Sequence, residues 1–325
     1  MPERLAGCRV LITGGLGFLG LNLVPVLLDG GAKVRILNRS LHPLALAWLD
    51  RLRNGRLVEV LEGDIADFER MPGWLRGMDV IINLAGESGA VKSLREAQVD
   101  MQVNIAGHLV MLDALRDQTD CPRVLFVSSR LVYGVTGPDA VDEDHPLRPT
   151  SLYGLHKLTV EHYYRIYHEQ YGIPYTILRL TNPYGPFQLP HRNHYGIVNR
   201  FVMLALRSEA LQIFGGGPQL RDYVHVRDVA EAVLCACVDE HAMGEILNVG
   251  SGRSVTLGEV ACRIVELAGS GRVVEVPWPD GYRKVETGDF VCDTRRIESL
   301  LGWKAGIDLE QGLRETIECY RSLLP

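Results

Sequence analysis

The sequence predicts an α/β fold, a doubly wound parallel sheet with a smaller C-terminal α+β lobe, on three observations. Short β-branched apolar runs alternate with longer helix-like stretches through the first half of the chain. A glycine-spaced turn follows the first run directly. After Leu180 the alternation loosens into a stretch rich in Pro, Gly and Asn, where the packing logic changes.

The runs are "CRVLI", "KVRIL", "LVEVL", "DVIINL", "RVLFVS" and "YTILRL", each closed by a turn or a polar segment. Near-continuous apolar character suits strands covered on both faces, which is the condition of a parallel sheet between helical layers. "TNPYGPFQLPHRNHYG" opens the second lobe, followed by the helix-like "IVNRFVMLALRSEA" and the turn "FGGGPQLRDY". "EILNVG" near residue 247 reads as a strand that can return to the first sheet. The expected division is therefore residues 1–180 plus roughly 222–250 for the first domain, and 181–221 with 251–325 for the lobe. No internal repeat or low-complexity tract interrupts this order.

A chain of 325 residues at 46% hydrophobic can bury a sizeable core. Its net charge of −6 offers no broad basic surface, so nucleic acid is not an expected partner. No apolar run is long enough to span a bilayer, and Met1 to Arg9 lacks the apolar segment of a signal peptide, so the expected location is cytoplasmic. The seven cysteines are scattered in apolar context, and the close pair Cys235 and Cys237 is one residue too tight for a zinc motif. They read as buried thiols, and no metal site is expected.

"VLITGGLGFLG" puts Gly14, Gly17 and Gly20 after a predicted strand and at the mouth of a predicted helix. Glycine permits the tight turn and lets backbone approach a pyrophosphate whose charge meets helix N-terminal amides. The order G-x-x-G-x-x-G at the start of a βαβ pattern points to a dinucleotide, NAD or NADP. The second run ends at "VRILNRS", where a ribose-binding site usually presents an acid and this chain presents Asn38 and Arg39. A neutral Asn beside an Arg leans to NADP; the alternative is that Arg39 is a solvated surface residue.

Tyr153 and Lys157 in "SLYGLHK" lie four apart and share a helix face if "LYGLHKLTVEHYYRIYHEQY" is helical. Only five lysines occur in the chain. An ammonium near a phenol favours the phenolate and makes Tyr153 usable as a general base and acid. Ser129 in "VSSRLVYG" follows the strand "RVLFV", at the sheet edge where ligands bind, and its hydroxyl can hold a substrate oxygen. For each residue taken singly the alternative is structural: packing and solvation for the Tyr and Lys, a satisfied turn for the Ser.

Taken together, "TGGLGFLG", "GDI" at 63 to 65, "NLAG" at 83 to 86, "VNIAGH" at 103 to 108, "VSSRLVYG", "YGLHK", "RLTNPYGP", "QLRDYVHVRDVA", "ILNVGSG" and "LGW" resemble the extended short-chain dehydrogenase/reductase family of nucleotide-sugar epimerases and dehydratases. The resemblance implies a Rossmann domain carrying NAD or NADP and a C-terminal lobe that binds a nucleoside-diphosphate sugar. It implies catalytic roles for Ser129, Tyr153 and Lys157. On the cofactor side it implies the glycine loop with Phe18 and Leu19, the adenine-side Asp64 and Ile65, Leu84 and Ala85 beside the phosphates, and Asn104 in the active site. On the substrate side it implies Asn182, Arg221 and Arg283 at the diphosphate, and backbone contacts from Gly196 and Ile197. A homodimer built on helices near residues 95 to 115 and 153 to 170 is expected on the same ground.

Departures from the family narrow the expectation. The dehydratases place acids straight after the catalytic Ser or Thr, and the 3,5-epimerase/reductases place a Cys two residues before the following Tyr. Here Arg130 and Leu131 stand at those positions, ahead of Tyr133, so neither branch is expected. Arg130 reaches a substrate acid or phosphate, or it pairs with "DEDH" at 142 to 145. The expected activity is a nucleotide-sugar epimerase working by transient oxidation to a keto sugar. An NADPH-dependent keto-sugar reductase is the alternative, and a non-catalytic NAD(P)-sensing or scaffold protein stands behind both.

Overall fold

The computed structural model describes residues 4–189, 196–279 and 281–323. The strands in chain order begin with β1 (Arg9–Thr13), β2 (Lys33–Asn38), β3 (Val58–Glu62), β4 (Val80–Asn83), β5 (Arg123–Ser129), β6 (Ala140–Val141) and β7 (Tyr175–Leu180). They continue as β8 (Asn182–Tyr184), β9 (Ala210–Phe214), β10 (Leu220–His225), β11 (Ile246–Val249), β12 (Ser254–Thr256), β13 (Arg272–Val276) and β14 (Val291–Cys292). The helices of the first half are α1 (Phe18–Asp29), α2 (Pro43–Leu52), α3 (Met71–Leu75), α4 (Ala90–Arg95), α5 (Ala97–Met101), α6 (Gly107–Leu115) and α7 (Leu152–Tyr171). The second half adds α8 (Ile197–Leu206), α9 (Val226–Val238), α10 (Leu257–Ala268), α11 (Arg295–Leu301) and α12 (Leu309–Leu323).

Seven strands form one parallel sheet in the order β11-β7-β5-β4-β1-β2-β3. Every apolar run of the first half supplies one of them, and "EILNVG" closes the far edge beside β7. The reason is burial on both faces. Leu21, Leu27, Trp48 and Val233 of α1, α2 and α9 cover one side, and Met71, Met111, Val160 and Tyr164 of α3, α6 and α7 cover the other. Each such side chain withdrawn from water contributes about 1.5–3 kcal/mol. Between β1 and β4 the winding reverses, which opens a crevice beyond the carboxyl ends of the strands.

Local signals set the helix that carries Tyr153 and Lys157. Ser151 caps α7 by accepting from the Gly154 amide at 3.2 Å, and Gly172 ends it in the left-handed conformation at φ 72°. A third core forms where α8, α10 and α12 pack beside β9 and β10, with Phe201, Ile264 and Ile317 buried in it. The small sheet β12-β10-β8 belongs to this region. Among the described residues no helix is long and apolar enough to cross a membrane.

Candidate active site

The glycine loop leaves β1 at the switch point. Gly14 sits at φ 70°, and a Cβ there would lie 3.0 Å from the backbone of Ala85 on the adjacent strand end. A Cβ on Gly20 would meet the Gly15 carbonyl at 2.4 Å, so α1 can approach the loop only because that residue is glycine. Gly17 is the N-cap of α1, with no side-chain cap and no acid in the first turn, followed by the half-buried Phe18 and Leu19. The first amides of a 12-residue helix thus face the crevice free of side-chain acceptors, a cradle suited to a pyrophosphate.

Other expected cofactor residues surround that cradle. Asn38 accepts from the Leu16 amide at 3.2 Å and donates to the Ser40 carbonyl at 2.7 Å, bracing the loop. Arg39 is a half-exposed surface residue that donates to Glu87 at 2.8 Å, so it is not a free cation. Asp64 accepts from the Ala66 amide at 2.9 Å, and the buried Ile65 packs against the Cα of Gly107. Leu84 and Ala85 follow β4 and hang on Thr13, whose hydroxyl accepts from the Ala85 amide at 3.2 Å. Asn104 lies in a π-helical turn over Gln102–Ala106, fully buried, and donates to the Glu87 carbonyl at 2.9 Å. Its Oδ1 has no protein partner, an orphaned acceptor that a bound group can satisfy. Cradle and orphan together fit a dinucleotide.

Ser129 ends β5, where its Oγ accepts from the Leu131 amide at 3.2 Å and lies close enough to act on the Tyr153 phenol. Lys157 is 5% exposed; its Nζ donates to the Val127 carbonyl at 2.9 Å and stands 5.9 Å from the centre of the Tyr153 ring. The three residues therefore meet at one strand end. One expectation is corrected here. Burial pushes the Tyr153 phenol above its usual range, the Asp100 carboxylate adds to that, and only the Ser129 hydroxyl opposes it. Burial likewise pushes Lys157 down to about 8, against the pull of Asp100 and Glu161. The ammonium gives one donor to the Val127 carbonyl and is not among the groups that draw the phenol down.

Arg130 begins the short turn Arg130–Val132 and is buried. It does not pair with the acidic stretch at 142 to 145; Arg296 takes that place, 2.6 Å from Asp144 and 3.5 Å from Glu143. Arg130 instead donates to Thr287 Oγ1 at 3.0 Å and, at 3.4 Å, to Asn182 Oδ1. Asn182 opens β8 and donates to the Asp222 carbonyl at 2.9 Å. Arg221, on β10, donates to Glu286 and to the Leu220 and Gly288 carbonyls. Gly196 and Ile197 are the N-cap and first residue of α8, both half-buried. Arg283 is exposed in the turn Tyr282–Val285, with no ion pair among the described residues.

A family profile described as "NAD dependent epimerase/dehydratase family" matches residues 10–250, which include the cradle, Asn104, the Ser129–Tyr153–Lys157 set and Arg221. The chain belongs to that family. A UDP-glucose 4-epimerase from Thermotoga maritima, solved with UDP-glucose, is similar at 30% identity and a TM-score of 0.88, covering 98% of this chain and 100% of that one. A Thermus thermophilus UDP-glucose 4-epimerase in complex with NAD is similar at 29% identity and a TM-score of 0.85, over 97% and 100%. A dTDP-glucose 4,6-dehydratase from Streptomyces niveus is 30% identical over 96% of this chain and 93% of that one. The chain is an enzyme of this NAD-dependent family, and the lean to NADP finds no support among these relatives.

Several residues beside these groups were not anticipated from the sequence. Asp100 accepts from buried His156 at 2.6 Å, and its carboxylate bears on both Tyr153 and Lys157. Tyr223, Glu286 and Thr287 surround Arg130 and Arg221. Only Tyr223 had a usable signal, since it lies two residues after Arg221 on a strand and shares its face.

Proposed function

We propose that this chain is a nucleotide-sugar epimerase that oxidises its substrate transiently to a keto sugar. The observation that carries the reading is the pairing of a gathered Ser129, Tyr153 and Lys157 with Arg130 and Leu131 directly after the Ser. Neither following side chain can remove and return a proton as water elimination requires, which favours inversion over dehydration.

In this reading Ser129 holds the reacting sugar oxygen and Tyr153 takes its hydroxyl proton, then returns it. Lys157 would hold the nicotinamide ribose, and the Tyr153 phenol, raised by burial, needs a nearby positive charge to release its proton, which an oxidised nicotinamide ring would supply. NAD, which we assign as the cofactor, supplies the acceptance and return of hydride. Gly14, Gly17, Phe18, Leu19 and Gly20 cradle its pyrophosphate, Leu84 and Ala85 flank it, Asp64 and Ile65 meet the adenine side, and Asn104 offers its orphaned oxygen. A 2′-phosphate of NADP would have to compete with Glu87 for Arg39, which favours NAD. Residues 1–180 with roughly 222–250 hold the cofactor, and 181–221 with 251–325 hold the sugar nucleotide. There Arg221 and Asn182 meet the diphosphate, with Gly196, Ile197 and Arg283 at the nucleotide end.

Exposed Leu94, Val99 and Met101 on α4 and α5, and Leu155 and Ile166 on α7, support a homodimer through these helices. Light scattering is expected to give a dimer mass; a monomer at micromolar concentration would remove that part of the proposal. The activity is tested by incubating the protein with UDP-glucose and related sugar nucleotides in deuterated water. A stereoisomeric product without solvent deuterium on the sugar carbons supports inversion, whereas loss of water with deuterium uptake would establish a dehydratase.

A further inference from the structure

Arg130 is 7% exposed, yet among the described residues it has no ion pair. Its hydrogen bonds go to two neutral oxygens, Thr287 Oγ1 at 3.0 Å and Asn182 Oδ1 at 3.4 Å, and the Phe290 ring centre lies 5.2 Å from its guanidinium carbon. The nearby carboxylates are already engaged. Glu286 accepts from Arg221 and, at 2.9 Å, from the Thr287 amide. Asp222 accepts from Ser251 N at 2.7 Å, Ser251 Oγ at 2.8 Å, Gly252 N at 2.9 Å and Cys292 N at 3.3 Å. Burial and the like charge of Arg221 lower the Arg130 guanidinium to about 9. In the same pocket the buried Tyr223 hydroxyl has no partner, and both guanidinium groups act on it. An uncompensated buried cation beside an idle hydroxyl donor describes a receptor whose anion comes with the ligand.

We propose that Arg130 anchors an anion subsite for the sugar itself, so that the preferred substrate is a nucleoside-diphosphate sugar bearing a carboxylate. This inference rests on the nucleotide-sugar reading above and names its substrate class. The diphosphate is met from β10 by Arg221, whereas Arg130 directly follows Ser129, whose hydroxyl acts on the Tyr153 phenol. Arg130 therefore belongs to the reacting, sugar end of the pocket. A carboxylate there accepts two parallel N–H bonds from the guanidinium, and the Tyr223 hydroxyl can add a third donor. A hydroxymethyl group at that place leaves the cation unpaired once water is expelled.

The test is equilibrium binding to the full chain loaded with NAD, using UDP, UDP-glucose and UDP-glucuronate as probes. A charge-assisted pair predicts that UDP-glucuronate binds about tenfold or more tightly than UDP-glucose. Arg130→Met is expected to erase that preference while leaving UDP affinity unchanged, and Arg130→Lys to keep part of it. Equal affinity of the two sugar nucleotides in the unaltered protein overturns the inference. So does an Arg130→Met variant that weakens UDP as much as UDP-glucuronate, because Arg130 would then serve the diphosphate. Failure to bind any of the three overturns this inference and the nucleotide-sugar reading together. A carboxylate preference without inversion leaves the inference standing and removes the epimerase reading.

Discussion

Replacing Lys157 by Met is predicted to stabilise the fold near neutral pH while ending turnover. The ammonium is buried against the Phe126 ring, 4.7 Å from its centre, and its pKa is lowered from 10.5 to about 8, chiefly by burial. That lowering corresponds to roughly 3 kcal/mol held against folding wherever the folded chain keeps Lys157 charged. The sign follows from proton binding. Between pH 8 and 10.5 the unfolded state binds more protons at this residue than the folded state, so the stability of the unaltered protein rises with pH across that window. Below pH 8 the cost is present in full. Met fills similar space against an aromatic ring without the charge, but it strips the Val127 carbonyl of its donor, at about 1–3 kcal/mol. The net gain at pH 7 is therefore small, about 1 kcal/mol, and the pH dependence is the cleaner signal. Urea unfolding of both proteins at pH 7, 8, 9 and 10 measures it. The advantage of Lys157→Met should shrink steadily above pH 8, by up to roughly 3 kcal/mol. A difference flat with pH, or a variant clearly less stable at every pH, would show that Lys157 is not held against its own desolvation.

Tyr153→Phe keeps the ring and removes the proton carrier, so turnover should fall by about 10²–10⁴ with cofactor binding and thermal unfolding nearly unchanged. Gly20→Ala drives a methyl group into the Gly15 carbonyl at 2.4 Å; fluorescence titration should show dinucleotide binding lost with the loop distorted. Arg179 and Glu161 form a buried pair at 2.6 Å with both side chains 2% exposed. Arg179→Met strands that carboxylate and should cost about 3–5 kcal/mol in denaturant unfolding, while Arg179→Met with Glu161→Leu recovers much of it.

The sheet was legible because burial on both faces writes itself into sequence as unbroken apolar runs. "KVRIL" and "RVLFVS" can be little else between helical stretches, and the glycines of the loop mark where backbone must approach backbone. Tyr153 and Lys157 were legible for a local reason, since one helix sets both. What could not be read was any relation that the chain closes over a long distance. Asp100 meets His156 across 56 positions, and Thr287 meets Arg130 across 157, with no periodicity to announce either. The acidity of Tyr153 was misjudged for a related reason. Spacing brings the ammonium near, but spacing does not report that the ammonium also turns to the Val127 carbonyl or that burial dominates the phenol. Arg130 stood out as unusual in the sequence, but its lack of a carboxylate partner emerged only once Arg296 was seen to occupy the acidic stretch, one of the two alternatives open to it.

The most direct test of the epimerase reading is to denature the purified protein and identify the nicotinamide nucleotide it releases by chromatography and mass. An enzyme that recycles its cofactor within each turnover should release close to one NAD per chain and invert a sugar nucleotide with none added. A protein that releases no nucleotide, and turns over only while consuming added NADPH, would contradict the account and establish a keto-sugar reductase.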